Sequence, residues 1–153
     1  MKQMYPAQQH GSSLLEALIA ILIFSMGILA LLGLQATSIK NSSDAKYRAD
    51  AAYLANQIIG QMWVDRANIP INYAHQHGGA VCAPTGTASA NANVTAWLAQ
   101  INTLLPGAAS TKQQITVGAL TASGAYPVTV TVCWQGPQEA TPHNFVATAQ
   151  INS

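Results

Sequence analysis

The sequence predicts an α+β fold in which one long N-terminal helix packs on a small antiparallel sheet, with one further short helix. Three observations lead to this prediction. A long apolar run lies near the N-terminus, apolar residues then recur at helical spacing, and the last third of the chain alternates apolar and polar residues. An order of long helix first and strands later is typical of α+β domains rather than of alternating α/β folds.

The apolar run extends from Leu14 to Leu34, and Glu16 is its one charged residue. As a helix the run measures roughly 31 Å, which matches the hydrocarbon core of a bilayer. A carboxylate inside such a segment is costly in lipid, so a function and a partner are the default expectation. The alternative is a Glu near the helix end whose carboxylate extends to the interface without a partner.

A secretory signal cut after Leu34-Gln35-Ala36 is a second interpretation of the same run. The apolar region of a typical signal spans about 7 to 15 residues, which is shorter than this one. An acidic residue is also misplaced inside such a region, and Leu34 is larger than the residues preferred there. A membrane anchor preceded by a short polar leader is therefore the favoured prediction.

Beyond Leu34 the chain is predicted to continue as an amphipathic helix. Its apolar stripe recurs at steps of three and four residues and consists of Tyr47, Ala51, Leu54, Ile58 and Met62. Proline is absent between Pro6 and Pro70, so one helix of about 80 Å is predicted over about Ser13 to Ala67. The segment 41–44 is its weak point, because Asn, Ser and Asp side chains compete for backbone hydrogen bonds.

The remaining chain is predicted to form an irregular segment over 71–92, a short helix and an antiparallel sheet. Asn93 is the expected N-cap of the helix, and Pro106-Gly107 its stop. The apolar stripe of this helix consists of Val94, Trp97, Leu98, Ile101, Leu104 and Leu105. Alternation predicts strands over 114–117, 126–134 and 144–151. A sheet this small needs an apolar cover, and the stripe of the long helix is the obvious one.

The composition suits a subunit packed among neighbours, and a sparsely charged secreted domain would show the same composition. The chain is 50% hydrophobic and 7% charged, with a net charge of +1. After Arg66 only Lys112 and Glu139 carry a fixed charge, so Thr, Ser, Asn and Gln must keep the C-terminal half soluble. Basic residues cluster only near residues 40–48, which does not favour nucleic-acid binding by this chain alone.

The two cysteines, Cys82 and Cys133, lie in the part that follows the membrane segment. An even pair in an exported domain indicates one disulfide. The chain-entropy model gives such a bond about 4 kcal/mol of stabilisation. Two unrelated buried thiols are the alternative.

Residues suited to other chemistry are few. His75, His77 and Cys82 could form a metal site, but a solvated loop is the favoured interpretation because carboxylates are absent nearby. Glu139 is the one acid after residue 67, so a catalytic triad is not expected, and neither enzyme activity nor a cofactor or metal is predicted. His143 is expected to be exposed. The three tryptophans, Trp63, Trp97 and Trp134, are expected in the core.

The N-terminal residues Gly11-Ser12-Ser13-Leu14-Leu15-Glu16 resemble the processing site of type IV prepilins. These proteins have a short leader that ends in Gly, and a Glu at the fifth mature residue of an apolar helix. The segments Gly33–Trp63 and Trp97–Pro106 and the strand VTVTVCWQ resemble the minor-pilin subfamily called PilV, or type IV pilus modification protein. The resemblance covers nearly the whole chain, but only the later segments favour this subfamily.

The resemblance implies roles for three residues. Prepilin peptidase would cleave between Gly11 and Ser12 and then N-methylate Ser12. The family usually has Phe at the first mature position and Lys or Arg before the glycine, where this chain has Ser12 and His10. In the fibre, the Glu16 carboxylate would pair with the N-terminal amine of a neighbouring subunit. Such a pair in an apolar bundle is favourable only when both partners are present.

The implied organisation is a type IV pilin-like fold with a cleaved leader (1–11), a transmembrane half (12–34) and an amphipathic half (35–67) of the long helix, and an exported head (68–153). The implied function is that of a minor pilin, which primes assembly of the type IV pilus and has the fibre tip as one location. The chain would be anchored once in the bacterial inner membrane with its head in the periplasm, and would become extracellular in the pilus.

The implied partners are prepilin peptidase, other minor pilins and the major pilin, the inner-membrane assembly platform, and the lipid bilayer before assembly, with no nucleic acid bound by the chain itself. Two other functions are compatible with the same residues. One is a type II secretion pseudopilin, and the other is a pilus-borne adhesin or DNA-uptake receptor. Adhesion, twitching motility and DNA uptake are left open as the main output.

Overall fold

A computed structural model describes residues 10–66, 72–137 and 139–152. Its helices are α1 (His10–Val64), α2 (Ala92–Leu104) and the short 3₁₀ helix η1 (Ser110–Lys112). Its strands are β1 (Gly78–Ala80), β2 (Ala83–Thr85), β3 (Gln114–Val117), β4 (Ala125–Trp134) and β5 (His143–Asn152). The chain divides into two compact units, Met1–Ser42 and Ser43–Ser153. The predicted α+β layout of a long apolar helix, a second short helix and small antiparallel sheets is confirmed.

The helix α1 is continuous through the segment 41–44, where the sequence predicted a weak point. It ends at Val64, three residues before the predicted end. The Asp65 N–H still donates to the Gln61 carbonyl at 3.0 Å, so the helical hydrogen-bond pattern continues for one residue beyond Val64. The predicted stop at Ile69-Pro70 lies outside the described residues.

The core of the second unit lies between the predicted stripe of α1, the helix α2 and one face of the sheet. The α1 residues Ala51, Leu54, Ile58 and Met62 are fully buried, and Tyr47 packs at the edge. The opposite side is formed by Val128, Val130 and Val132 of β4. Burial of this apolar stripe stabilises the packing of α1 in the unit, at about 25 cal/mol per Å² of apolar surface removed from water.

The start of α2 differs from the prediction by two residues. Asn91, not Asn93, is the N-cap, because its Oδ1 accepts the N–H groups of Asn93 at 2.8 Å and Val94 at 3.3 Å. Asn93 instead donates its side-chain Nδ2–H to the Tyr73 hydroxyl at 2.7 Å. At the other end, Leu105 leaves the helix and is buried, whereas Leu104 is 43% exposed.

The main sheet has the order β3-β4-β5, and both pairs are antiparallel. β4 lies in the centre of this sheet. Its ladder with β5 is continuous from Ala125↔Asn152 to Trp134↔His143. The three strands match the predicted ones to within one residue at each end.

The segment predicted to be irregular contains the hairpin β1–β2 and an isolated bridge between His75 and Ile115. The strands of this hairpin have three residues each, with Pro84 in β2 and two glycines in β1. Gly79 has φ +81°, and a Cβ at this position would lie 2.8 Å from the main-chain nitrogen of Thr85. Short strands that contain Gly and Pro lack the alternation by which strands are recognised in a sequence.

The hairpin is attached to the main sheet by a disulfide between Cys82 and Cys133, whose Cα atoms are 5.5 Å apart. Cys82 lies in the tight loop of the hairpin with φ +60°, and Cys133 lies near the end of β4. The pairing predicted from the cysteine count is therefore present, and the alternative of two unrelated thiols is not.

Candidate functional site

The N-terminal part of α1 presents an apolar surface. Every large apolar side chain from Leu14 to Leu34 is between 41% and 74% exposed. Within the described residues, α1 is the one helix that is long and apolar enough to cross a membrane, with a mean hydropathy of 2.7 in its most apolar window. An exposed apolar surface of this extent is unfavourable in water and favourable in lipid or against other helices.

Ser12 and Glu16 lie one turn apart on α1, on the same face of the helix. Glu16 is exposed, and the described part of the chain supplies no ion-pair or hydrogen-bond partner for its carboxylate. Leu14, Leu15 and Leu18 surround it, each at least 65% exposed. The site is thus a carboxylate on an apolar helical surface near a serine, and it suits a cationic partner from outside the described chain.

The hydroxyl groups of the same helix contrast with Glu16. Ser25 donates its Oγ–H to the Ile21 carbonyl at 2.7 Å, and Thr37 donates to the Gly33 carbonyl at 3.1 Å. Hydroxyls bonded back to the helix in this way are tolerated in lipid. Between residues 14 and 34, Glu16 is therefore the polar side chain that the described helix leaves unsatisfied.

The histidine predicted to lie in a solvated loop, His75, is 2% exposed. Its Nε2 lies 3.1 Å from the Ser110 carbonyl oxygen, and its Nδ1 accepts the Ser89 N–H at 3.1 Å. The prediction was wrong because His75 forms the bridge to β3, which carries its ring into the interior. With both ring nitrogens bonded and Cys82 in the disulfide, these two residues are unsuited to bind a metal.

His77 is exposed, and the described residues contain no group of three or more His, Cys, Asp or Glu side chains arranged to hold a metal ion. It lines an open cleft together with small residues of the segment 87–91. The residues of the sequence motif His75, His77 and Cys82 are therefore separated by the fold rather than brought together.

His143, predicted to be exposed, is half-buried and paired. Its Nε2 lies 2.8 Å from Oε2 of Glu139, and its ring stacks on Trp134 with 5.8 Å between centroids. Glu139 also accepts the Gly136 N–H at 3.1 Å. These contacts close the loop between β4 and β5. This pair was not predictable from the sequence, since residues four apart in a loop have no fixed geometry.

Of the three tryptophans, Trp97 and Trp134 are buried as predicted, at 1% and 3% exposure. Trp63 is 42% exposed, so its assignment to the core was wrong. It lies beside Met62 on α1, but one residue turns the side chain by about 100° around the helix and away from the buried stripe.

Tyr73 connects the segment after α1 to the start of α2. Its hydroxyl donates to Oδ2 of Asp65 at 3.2 Å and accepts from Asn93. Burial raises the pKa of the Tyr73 phenol above its ordinary value of 10.0, and the Asp65 carboxylate acts in the same direction, while the bond from Asn93 opposes them. The phenol is therefore held neutral as a hydrogen-bond donor.

In a comparison with known families, residues 6–32 match the family described as the prokaryotic N-terminal methylation motif. Neither the curated proteins nor the solved structures contain a match to this chain. The matched segment includes Gly11, Ser12 and Glu16. The apolar α1 and the motif together fit a membrane-anchored pilin that is processed by a prepilin peptidase and assembles with other pilins. The findings thus support a type IV pilin-like protein, a structural subunit of a pilus or pseudopilus.

Proposed function

We propose that this chain is a minor pilin of the PilV type, which primes assembly of the type IV pilus and is carried into the fibre. The observation behind the proposal is the methylation motif over residues 6–32, which includes most of the apolar run 14–34. The one carboxylate of that run, on Glu16, has no partner among the described residues. The resemblance of Gly33–Trp63 and of the strand around Cys133 to minor pilins favours the subfamily.

In this proposal the chain is first a membrane protein. Residues 12–34 anchor it in the inner membrane, and prepilin peptidase removes the leader 1–11 and methylates Ser12. The head, which begins after the amphipathic half of α1, lies in the periplasm. The disulfide between Cys82 and Cys133 supports an exported head, since such bonds persist in oxidising compartments.

Glu16 acts as the docking group. When the helix leaves lipid and packs among other helices, its carboxylate loses access to water at the interface. The terminal amine of a neighbouring subunit then offers the opposite charge at the same depth. An unpaired charge in such a bundle costs about 3–5 kcal/mol relative to the intact pair. The pair therefore fixes the axial position at which two subunits associate.

The test replaces Glu16 by Gln, which keeps the shape of the side chain and removes its charge. We expect at least about a tenfold loss of surface pili and of co-purified pilus subunits, because the neighbour's amine is left unpaired. Glu16→Asp, which keeps the charge, is expected to retain part of the function. Ser25→Ala changes a polar residue of the same span whose hydroxyl is bonded within the helix, and serves as the control.

Unchanged piliation and unchanged partner recovery in Glu16→Gln would contradict the docking role. A type II secretion pseudopilin shares the N-terminal motif, and the neighbouring genes separate the two assignments. Genes for other minor pilins support the proposal, whereas genes for a secretion ATPase and secretin would assign the chain to secretion.

A further inference from the structure

Along its outer edge, β5 has main-chain groups that no described residue pairs with. β5 is the last strand in the order β3-β4-β5, so one of its edges bonds to β4 and the other faces away from the sheet. The hydrogen bonds of β4 show which β5 residues direct their main-chain groups outward. There, Cys133 directs both main-chain groups to the side chain of Gln113, on the β3 side. The carbonyls of Pro127 and Ala125 also accept bonds on that side.

The main-chain N–H and C=O groups of the odd-numbered β4 residues therefore point towards β3. Those of the even-numbered residues form hydrogen bonds with β5. In an antiparallel ladder, the residues opposite a non-bonded position direct their own N–H and C=O away from the partner strand. On β5 these outward residues are Asn144, Val146, Thr148, Gln150 and Asn152. Their side chains are all exposed as well. The edge thus offers a regular row of donors and acceptors that lack partners in the described structure.

This edge lacks the features that usually protect a free strand. Natural edges are shortened, bulged or occupied by Lys or Pro, because an open edge recruits other strands. From residue 144 to 152 the strand contains no charged residue and no proline. Its ten-residue ladder with β4 has no bulge. The other edge of the sheet is different, since β3 has only four residues and Ile115 already exchanges two main-chain bonds with His75.

We propose that the β5 edge binds an extended, uncharged strand of a different pilus subunit, which continues the sheet through main-chain hydrogen bonds. This inference rests on the proposed function, which supplies other subunits as neighbours. Strand addition of this type obtains affinity from the main chain and specificity from alternate side chains. Here the alternate side chains are Asn, Val, Thr and Gln, so the matching strand carries neutral side chains on the same face.

A second copy of this chain fits the edge less well. Antiparallel pairing of two β5 strands relates the copies by a two-fold axis perpendicular to the sheet. The α1 stripe that includes Leu54 and Ile58 packs on the sheet face formed by β4. The same axis would therefore reverse the direction of that helix between the copies. Two chains anchored at their N-termini in one membrane need their helices to run the same way, which favours a different subunit as the partner.

The test places a photoreactive amino acid at Gln150 of the full chain in piliated cells. We expect an adduct with another pilus subunit, with the cross-linked peptide in a strand of that subunit. Thr148→Pro removes one outward N–H without touching a bond to β4, and edge strands tolerate such a proline. We expect it to lower the adduct yield about tenfold, since it removes a hydrogen bond and obstructs its neighbours. Thr148→Val keeps the N–H and is expected to retain the yield.

Formation of the Cys82–Cys133 disulfide and the cellular level of the protein report whether the proline variant folds. If it does not, Thr148→Lys, which adds a charge to the edge, takes its place with the same expected loss. Equal adduct yields in the edge variants and in Thr148→Val would overturn the inference, as would an adduct only with a second copy or none at all.

Deletion of the whole gene tests the proposed function separately. Loss of pili on deletion with normal adducts in Thr148→Pro would refute the edge inference alone.

Discussion

The side-chain amide of Gln113 forms two hydrogen bonds with the main chain of Cys133. Its Oε1 accepts the Cys133 N–H at 2.8 Å, and its Nε2 donates to the Cys133 carbonyl at 3.0 Å. Gln113 is fully buried and directly precedes β3. Its side-chain amide makes the two hydrogen bonds to Cys133 that the main chain of a longer β3 would otherwise make. The main chain next to the disulfide is thereby satisfied, although no strand among the described residues pairs with Cys133 on that side.

Replacement of Gln113 by Leu is therefore expected to lower the free energy of unfolding by about 2–4 kcal/mol, because it leaves a buried N–H and C=O of Cys133 unpaired. Thermal or urea unfolding of the full chain in detergent, followed by tryptophan fluorescence, measures the change. Gln114→Leu is the control, since Gln114 makes one partly buried bond to the Gly78 carbonyl. Equal stability of the two variants would contradict the role assigned to Gln113.

Removal of the disulfide by Cys82→Ser with Cys133→Ser is expected to cost about 4 kcal/mol, from the sequence separation of 51 between the two residues. Reductant should lower the unfolding midpoint of the wild-type protein to that of the double variant, and should leave the midpoint of the double variant unchanged. An unfolding midpoint that does not respond to reductant would show that the bond contributes no stability.

Trp97 links the two helices of the second unit, since its indole Nε1–H donates to the Leu54 carbonyl at 2.9 Å in the interior. Trp97→Phe is expected to lower the free energy of unfolding by about 1–3 kcal/mol through the lost hydrogen bond and the unfilled volume. Trp63→Phe, at a site that is 42% exposed, should cost less than about 0.5 kcal/mol. A larger loss of unfolding free energy in Trp63→Phe than in Trp97→Phe would contradict the packing of α2 on α1.

The raised pKa of the Tyr73 phenol leads to a prediction of how the free energy of unfolding changes at alkaline pH. Because burial and the Asp65 carboxylate raise its pKa in the folded protein, the folded state retains the proton that the unfolded state loses near the ordinary value of 10.0. Its contribution is fully present below that pH and is lost as the pH rises through the raised pKa. Tyr73→Phe should flatten this part of the stability profile, whereas the exposed Tyr53→Phe should leave it unchanged. Parallel wild-type and Tyr73→Phe profiles would contradict the assignment.

The parts of the fold that were predicted correctly are those with a sustained period. The stripe from Ala51 to Met62 and the alternation around Val130 both result from burial of one face, and burial of one face leaves a repeating pattern in the sequence. The prediction was wrong where a single contact decides the structure. Asn91 and Asn93 are equally able to cap a helix, and only the position of the Tyr73 hydroxyl separates them.

Long-range contacts explain the other differences. His75 is buried because it pairs with Ile115, forty residues later in the chain, and a sequence shows no period for such a bridge. The candidate site could be predicted only in part, because one of its two partners is expected on another subunit. The position of Glu16 in the apolar run is visible in the sequence, but its expected partner belongs to another subunit. A single chain therefore identifies the unsatisfied carboxylate and leaves its pairing as a prediction.

The most direct test of the account is mass spectrometry of the N-terminus of the protein isolated from cells. Cleavage after Gly11 gives a chain that begins at Ser12, with one additional methyl group on its amine. That result would supply the amine that the Glu16 pair requires. An intact Met1 terminus would contradict the central claim, because Ser12 would then have no free amine. A chain that begins after Ala36 would contradict it as well, because that chain lacks both Ser12 and Glu16.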